Sequence, residues 1–232
     1  MAGKLYLLPV PLGEAGGIAS IPAANIAIAE RLTHFFCEHE RTARRMLRRM
    51  SATIDLNAIV PHRLDKDSTD GDIRTMLTVL KEHDGAIVSE AGMPCIADPG
   101  ARLVARAHEA GITVVPLTGP SSLLLALAAS GLNGQRFTFH GYLPKGTNER
   151  RQALRAIEQD ARRTGGAQIA IETPYRNNAF LGDVLAACAD NTQLCIAVDI
   201  DQPGASIVTR TVSAWRKNRP DLDDRPCVFI IG

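Results

Sequence analysis

Two short apolar runs near the middle of the sequence each end in a loop rich in glycine and proline. The runs occupy residues 86–89 and 112–117, and the loops after them contain EAGMPCIADPG and TGPSS. Strands of a parallel sheet end in such loops, and α/β proteins bind ligands at that edge of the sheet. A helix-length segment at residues 101–110 separates the runs, as in a strand–helix–strand unit. The pattern predicts an α/β fold with a ligand-binding edge.

The rest of the chain continues this alternation of strands and helices. The polar segment at residues 62–71, HRLDKDSTDG, has the aspartate, serine and glycine content of a loop. Further strands are predicted at residues 4–10, 34–37, 53–54, 168–171, 194–200, 207–211 and 227–231, and helices at 22–33, 71–83, 123–129, 151–163, 175–189 and 212–219.

Composition limits the classes of protein to consider. A hydrophobic fraction of 45% provides for a buried core, and 26 Lys and Arg against 25 Asp and Glu leave no strong overall field for polyanions or membranes. The five cysteines are scattered and form no C-x-x-C pair, which argues against a disulfide framework and a zinc site. The opening MAGKLYLLPVPLG is too short and too interrupted for a signal peptide or membrane span. We expect a cytoplasmic protein with no membrane partner.

The segment HERTARRMLRRM predicts an amphipathic helix. Its apolar face carries Ala43, Met46, Leu47 and Met50, and its opposite face carries Arg41, Arg44, Arg45, Arg48 and Arg49. Guanidinium groups match phosphate oxygens, so this face is a candidate nucleic-acid contact, but a solvated charged face is the commoner meaning of such a run.

Two other candidate sites are weak. The segment GEAGG at residues 13–17 lacks the G-x-G-x-x-G spacing of a dinucleotide site and is better interpreted as a turn, which makes a nicotinamide oxidoreductase a remote alternative. Asp65, Asp67 and Asp70 do not follow the calcium-loop pattern, so we interpret them as turn and cap residues and expect no metal.

Several motifs in series resemble one family. They are LYLLPVPLG, CEHERTARRML, IVSEAGMPCIADPG, VVPLTGPSSLLLALAASGL, GYLPKGTNERRQAL, IETPYR and RPCVFIIG. Together they resemble the tetrapyrrole methylase superfamily of S-adenosylmethionine (SAM) dependent methyltransferases, most closely the ribosomal small-subunit methyltransferase I branch without its C-terminal extension. The resemblance implies two α/β domains, at residues 1–118 and 119–232, with SAM in the cleft between them, and a homodimer.

The resemblance also implies which residues bind SAM. These positions are Pro9, Pro11, Gly13, Gly92, Met93, Ile96, Ser121, Ser122, Thr173, Ala197 and Pro226. The serines also suit the start of a helix, where a hydroxyl caps free N–H groups.

In the resembling branch the methyl group goes to a ribose 2′-hydroxyl of ribosomal RNA, and a base or hydrogen-bond acceptor assists such an oxygen. Glu172 and Glu90, each at a strand end, are the catalytic candidates; for Glu172 a structural hydrogen bond is an equal alternative. The candidate RNA-binding residues are Arg41, Arg45, Lys145 and Arg176.

The sequence departs from the branch in the acceptor half. The usual E-D-T-R is Glu38-His39-Glu40-Arg41 here, the usual H-E-x-N is Asp65–Ser68, and Glu14 replaces an asparagine. Because the SAM loops persist, the sequence supports methyl transfer better than it supports ribosomal RNA as the substrate. The leading hypothesis is methyl transfer to RNA or a ribosomal subunit. Methylation of a tetrapyrrole or other small molecule, and a SAM-binding module without catalysis, are the alternatives.

Overall fold

The computed structural model describes residues 3–13, 15 and 18–232. The candidate turn at residues 13–17 and the departure at Glu14 therefore lie largely outside the described residues. The chain divides into two compact units, Met1–Ser121 and Ser122–Gly232.

The first unit alternates strands and helices. Its strands are β1 (Lys4–Leu8), β2 (His34–Cys37), β3 (Val60–Arg63), β4 (Gly85–Val88) and β5 (Thr113–Pro116), and its helices are α1 (Ala23–Arg31), α2 (Glu40–Met50), α3 (Asp70–Glu82) and α4 (Ala101–Glu109).

These five strands form one parallel sheet in the order β3-β2-β4-β1-β5. Both faces are covered, because Phe35 and Phe36 are fully buried in separate hydrophobic clusters. Helices α1 and α2 contribute to the Phe35 cluster, and α3 and α4 contribute to the Phe36 cluster. Since successive side chains of a strand point to opposite faces, this is the layered arrangement that a continuous apolar strand requires.

The second unit contains the remaining elements. Its strands are β6 (Phe137–Tyr142), β7 (Ala167–Ile171), β8 (Gln193–Val198), β9 (Ser206–Thr211) and β10 (Cys227–Ile231), and its helices are α5 (Ser122–Ser130), α6 (Thr147–Thr164), α7 (Asn177–Ala187) and α8 (Val212–Lys217).

The second sheet is mixed, in the order β6-β7-β10-β8-β9. Strand β10 is antiparallel to both β7 and β8, so β7 and β8 run in the same direction. Phe229 packs with Phe180 of α7 on one face, whereas its neighbour Ile230 packs with Ala126 and Leu127 of α5 on the other. The expected α/β fold class is confirmed.

Two local predictions in the first unit were wrong. Residues 53–54 form a turn rather than a strand, and the segment assigned to a loop from residue 62 begins inside β3. Strand β3 lies at the sheet edge, contains Pro61 and is at most half-buried, so it lacks the apolar run that marks the other strands. The turn interpretation of the aspartates is confirmed for Asp65, whose carboxylate accepts from Asp67 N at 2.9 Å.

Candidate functional site

The five strands of the first sheet are parallel, so the loops that follow them meet at one edge. We call this the carboxyl edge; it comprises residues 9–13, 38–39, 64–68, 89–100 and 117–121. Seven of the sequence-predicted SAM contacts lie on it: Pro9, Pro11, Gly13, Gly92, Met93, Ile96 and Ser121. The fold therefore brings together residues that are more than a hundred positions apart in the sequence.

Loops 9–13 and 89–100 are joined by backbone hydrogen bonds. Val10 N donates to Gly92 O at 3.0 Å, and Gly92 N donates to Val10 O at 3.1 Å. The Ser89 hydroxyl also donates to Gly92 O, at 2.8 Å. Gly92 has φ +68°, and a Cβ at this position would lie 2.7 Å from Leu12 Cδ2. Glycine is required here because the backbone is left-handed and another loop lies against it.

Loop 117–121 packs against loop 9–13 as well. A Cβ on Gly119 would lie 2.3 Å from the Cβ of Pro9, so the Gly119 backbone lies against the proline ring with no room for a side chain. The Asn25 side-chain amide donates to Thr118 O at 2.7 Å, which attaches the loop to α1. The first, fourth and fifth strand ends thus present a single fixed surface.

Loop 89–100 has an unusual backbone. Cys95 and Ala97 have φ values of 68° and 60°, and Gly100 has φ 135°. Non-glycine residues with positive φ cost free energy and are common at ligand sites, where the surrounding structure holds them. The loop exposes an apolar side chain, Ile96, with 44% of its surface accessible.

A group of carboxylates lies beside that loop. One of them, Asp98, is not among the site residues that the sequence predicts. Glu38, Glu90 and Asp98 line the same small hollow. Burial, together with the charges of Glu38 and Glu90, raises the pKa of Asp98 to about 6. Asp98 belongs to the quoted IADPG motif, but spacing alone does not show that its carboxyl group is buried next to two others.

Three of the four remaining predicted SAM contacts lie at one edge of the second sheet. Thr173 follows the end of β7, Ala197 lies near the end of β8, and Pro226 precedes β10. Because β10 is antiparallel to both neighbours, its start lies beside their ends; Ala197 pairs with Val228, and Asp199 N donates to Pro226 O at 3.0 Å. Ser122, the last predicted contact, begins α5.

Glu172 lies at this second edge and is buried. Its Oε1 accepts from Thr173 N at 2.8 Å and from the Thr173 hydroxyl at 3.2 Å, and Arg176 Nη2 lies 3.0 Å from its Oε2. Only 2% of the Glu172 side chain is exposed. These contacts hold the loop after β7, in agreement with the structural alternative; a catalytic role for Glu172 stays a prediction.

Comparison with known proteins identifies the family. The sequence matches the family described as Tetrapyrrole (Corrin/Porphyrin) Methylases over residues 4–209. The chain belongs to this family. The crystal structure of the methyltransferase CobJ matches this methylase with a TM-score of 0.65 and 16% sequence identity, covering 100% of this chain and 94% of the other. At that identity the structural match shows the fold alone.

Two curated relatives of this methylase are ribosomal RNA small subunit methyltransferases I. The protein from Escherichia coli O157:H7 is 32% identical over 233 residues, which cover 99% of this chain and 77% of the relative. The protein from Micromonospora olivasterospora is 36% identical over 190 residues, which cover 82% of this chain and 57% of the relative. The resemblance found in the motifs is confirmed, and the chain is an enzyme of the methyltransferase class.

Three arginines on the polar face of α2 form hydrogen bonds within the fold. The apolar face is buried as predicted. Arg44 bonds Glu40 at 2.7 Å and the carbonyl of Leu56, Arg48 bonds the carbonyl of Ala52, and Arg49 bonds the carbonyl of Gly13 at 3.1 Å. Arg41 and Arg45, the two predicted RNA contacts on this helix, are exposed.

The two predicted RNA contacts of the second unit differ in setting. Lys145 is exposed in the loop before α6, whereas Arg176 is 21% exposed and lies against Glu172. The neighbouring Arg150 is buried in an ion pair with Asp183 and also donates to Lys145 O at 2.7 Å. Arg150 therefore fixes the loop that carries Lys145.

Across residues 3–13, 15 and 18–232, the histidine, cysteine and acidic side chains form no group of three or more arranged to hold a metal ion. Over the same described residues, each helix is too short or too polar to cross a bilayer.

Proposed function

We propose that this methylase transfers a methyl group from SAM to RNA of the small ribosomal subunit, at a ribose 2′-hydroxyl. The observation that carries the proposal is the 32% identity, over 99% of this chain, with a protein named for that substrate. The carboxyl edge adds a rigid, close-packed set of loops where an α/β fold binds a ligand.

The donor site that we propose in the first unit is the surface formed by loops 9–13, 89–100 and 117–121. Gly92 and Gly119 carry no side chain where these loops pack together, so their N–H and C=O groups can approach a ligand closely. Met93 and the exposed Ile96 offer apolar contacts for the uncharged parts of SAM. Bound SAM supplies a methyl group already activated on a sulfonium, so the protein's part is to align donor and acceptor and to exclude water.

In the second unit we propose that Ser122, Thr173, Ala197 and Pro226 contact SAM. The sheet edge that carries Thr173, Ala197 and Pro226 fits a ligand with hydrogen-bond donors. Among the described residues, Asn177 Oδ1 is a buried oxygen without a hydrogen-bond partner at this edge. Asn177 is anchored here, since its amide nitrogen donates to Arg225 O at 2.6 Å. Buried acceptors favour a donor, and the hydroxyl and amino groups of SAM are donors.

For the RNA we propose contacts from Arg41, Arg45 and Lys145, all exposed, and from Arg176. Such side chains bind phosphates and set the position of the nucleic acid rather than its sequence preference. Because the whole chain is nearly neutral, RNA binding depends on these local charges.

We also infer a cytoplasmic homodimer from the family likeness. Helix α5 supports a partner surface, because Leu124 and Leu125 are 54% and 42% exposed on it. Sedimentation equilibrium should give twice the chain mass of 24.9 kDa. A single-chain mass at micromolar protein would contradict the dimer.

The test of the function is incubation with methyl-labelled SAM and either small ribosomal subunits or a small-molecule extract. We expect label in RNA, and a strong reduction when Arg41→Glu and Arg45→Glu are combined. The matched control combines Lys81→Glu and Lys217→Glu, which makes the same change in net charge at exposed positions of α3 and α8. Label in the small-molecule fraction alone would support the tetrapyrrole alternative and refute the RNA substrate.

A further inference from the structure

His39 and Glu90 lie side by side at the carboxyl edge. His39 precedes α2 and follows β2, Glu90 follows β4, and β2 and β4 are paired strands. The ring nitrogen Nδ1 of His39 is 3.3 Å from Oε1 of Glu90. Two neighbouring strand ends therefore place an imidazole and a carboxylate in hydrogen-bond contact.

The carboxylate determines which ring nitrogen carries the proton. An ionised carboxylate only accepts hydrogen bonds, so Nδ1 of a neutral His39 is the protonated nitrogen. The other nitrogen, Nε2, then has a free lone pair that can accept a proton. The His39 side chain is 67% exposed, so an incoming substrate can reach it.

The pair is attached to the proposed donor loop. Glu90 lies two residues before Gly92, whose backbone is bonded in both directions to Val10. The Ser89 hydroxyl, next to Glu90 in the chain, donates to Gly92 O at 2.8 Å. The proton-accepting nitrogen and the loops assigned to SAM thus belong to one fixed edge of one sheet.

We propose that His39 accepts the proton of the acceptor hydroxyl during methyl transfer, and that Glu90 is the positioning residue that orients its ring; this inference rests on the proposed function. The hydroxyl O–H bond breaks and its proton goes to His39 Nε2, while the oxygen forms a bond to the methyl carbon. The carbon–sulfur bond of the donor breaks with its electron pair left on sulfur. The imidazolium afterwards gives the proton to water, which restores the neutral ring.

Other charged groups surround the pair and contribute to its pH dependence. Charged side chains line the hollow beside His39 and the smaller hollow beside Glu90. They are Glu38, Glu40, Arg41, Arg63, Asp65, Lys66, Asp67 and Asp98. Their ionisation changes the local potential, so a pH profile of the enzyme reports them together with His39. A variant of His39 itself is needed to separate its contribution.

The experiment measures single-turnover methylation of small ribosomal subunits between pH 5 and pH 9, with labelled SAM at saturation. The variants are His39→Gln, Glu90→Gln and the control His108→Gln, which changes an exposed histidine on α4. His39→Gln should slow transfer by about 100- to 10,000-fold, the usual contribution of a general base. It should also change the pH profile of the rate, because the group that accepts the proton is absent.

Glu90→Gln should slow transfer by about tenfold, since an amide can either accept from or donate to Nδ1 and no longer fixes which ring nitrogen carries the proton. His108→Gln should stay within about twofold of the unsubstituted protein, and all three variants should bind SAM with unchanged affinity, which shows that they are folded. A rate for His39→Gln within threefold, with an unchanged pH profile, would overturn the proposal.

A second measurement does not depend on activity. Nitrogen-15 spectra of the histidine rings at pH 8 should show His39 protonated on Nδ1, and a shift toward the Nε2-protonated form in Glu90→Gln. An Nε2-protonated ring in the unsubstituted protein would overturn the proposal even if the RNA is methylated. Failure of the unsubstituted protein to methylate any RNA would instead refute the proposed function itself.

Discussion

Gly92→Ala is the substitution that most directly probes the junction between loops 9–13 and 89–100. Gly92 has φ +68°, and a Cβ there would lie 2.7 Å from Leu12 Cδ2 and 3.1 Å from Pro120 O. The substitution therefore imposes a left-handed conformation on alanine and also pushes neighbouring loops apart. We expect the Val10–Gly92 hydrogen bonds to lengthen as a result.

The left-handed conformation lowers the stability of the fold, and the displacement of the loops lowers the affinity for SAM. A left-handed non-glycine residue costs roughly 1–2 kcal/mol. At about 2–4 °C per kcal/mol for a protein of this length, the midpoint of thermal unfolding should fall by about 2–8 °C. Displacement of the loops by a few tenths of an ångström should weaken SAM binding about tenfold, equivalent to about 1.4 kcal/mol.

Gly111→Ala is the matched control. Gly111 has φ +69°, nearly the same as Gly92, but a Cβ there would have no neighbour within 4 Å. It lies before β5, at the opposite edge of the sheet. Calorimetric titration with SAM and thermal unfolding should show a loss of stability in both variants, at least as large in Gly92→Ala, and weaker SAM binding in Gly92→Ala alone. Equal SAM affinity in the two variants would refute the donor site.

Three further predictions concern stability. Arg150→Ala removes the buried one of the two arginines that pair with the Asp183 carboxylate, leaving only the partly exposed Arg151, and should cost about 3 kcal/mol in urea unfolding, whereas Arg163→Ala removes an exposed ion pair and should cost less than about 1 kcal/mol; equal costs would contradict this difference. Burial and neighbouring imidazoles lower the pKa of His34, so the unfolded chain binds more protons and stability falls as the pH drops through about 6.5. His34→Gln should make that acid loss less steep, and an unchanged slope would count against it. Because the raised pKa of Asp98 favours its protonated form in the fold, stability should fall as the pH rises from about 4 to about 6; Asp98→Asn should add on the order of 1 kcal/mol at pH 8 and little at pH 4, and no gain at pH 8 would contradict its burial.

The carboxyl edge could be predicted from the sequence because short local patterns mark the ends of its strands. Apolar runs that end in glycine and proline mark the ends of β4 and β5, and parallel strands deliver those ends to the same side. The burial of Met46 and Leu47 likewise followed from helical periodicity. Strand β3 escaped prediction because an edge strand is only partly buried.

Contacts between distant residues could not be predicted in the same way. His39 and Glu90 are 51 positions apart, and no periodicity relates them. The raised pKa of Asp98 depends on burial, on Glu38 from the end of β2 and on Glu90 from the start of its own loop, which only the folded chain brings together. The arginines of α2 share a face in the sequence pattern, but the carbonyl groups that engage Arg44 and Arg48 follow from the path of the chain after the helix.

Nucleoside analysis of methylated RNA tests the central claim most directly. Small ribosomal subunits treated with this methylase and labelled SAM would be digested to nucleosides and separated by chromatography coupled to mass spectrometry. We expect the label in a 2′-O-methylated nucleoside. Label on a base, or on no nucleoside at all, would contradict this expectation.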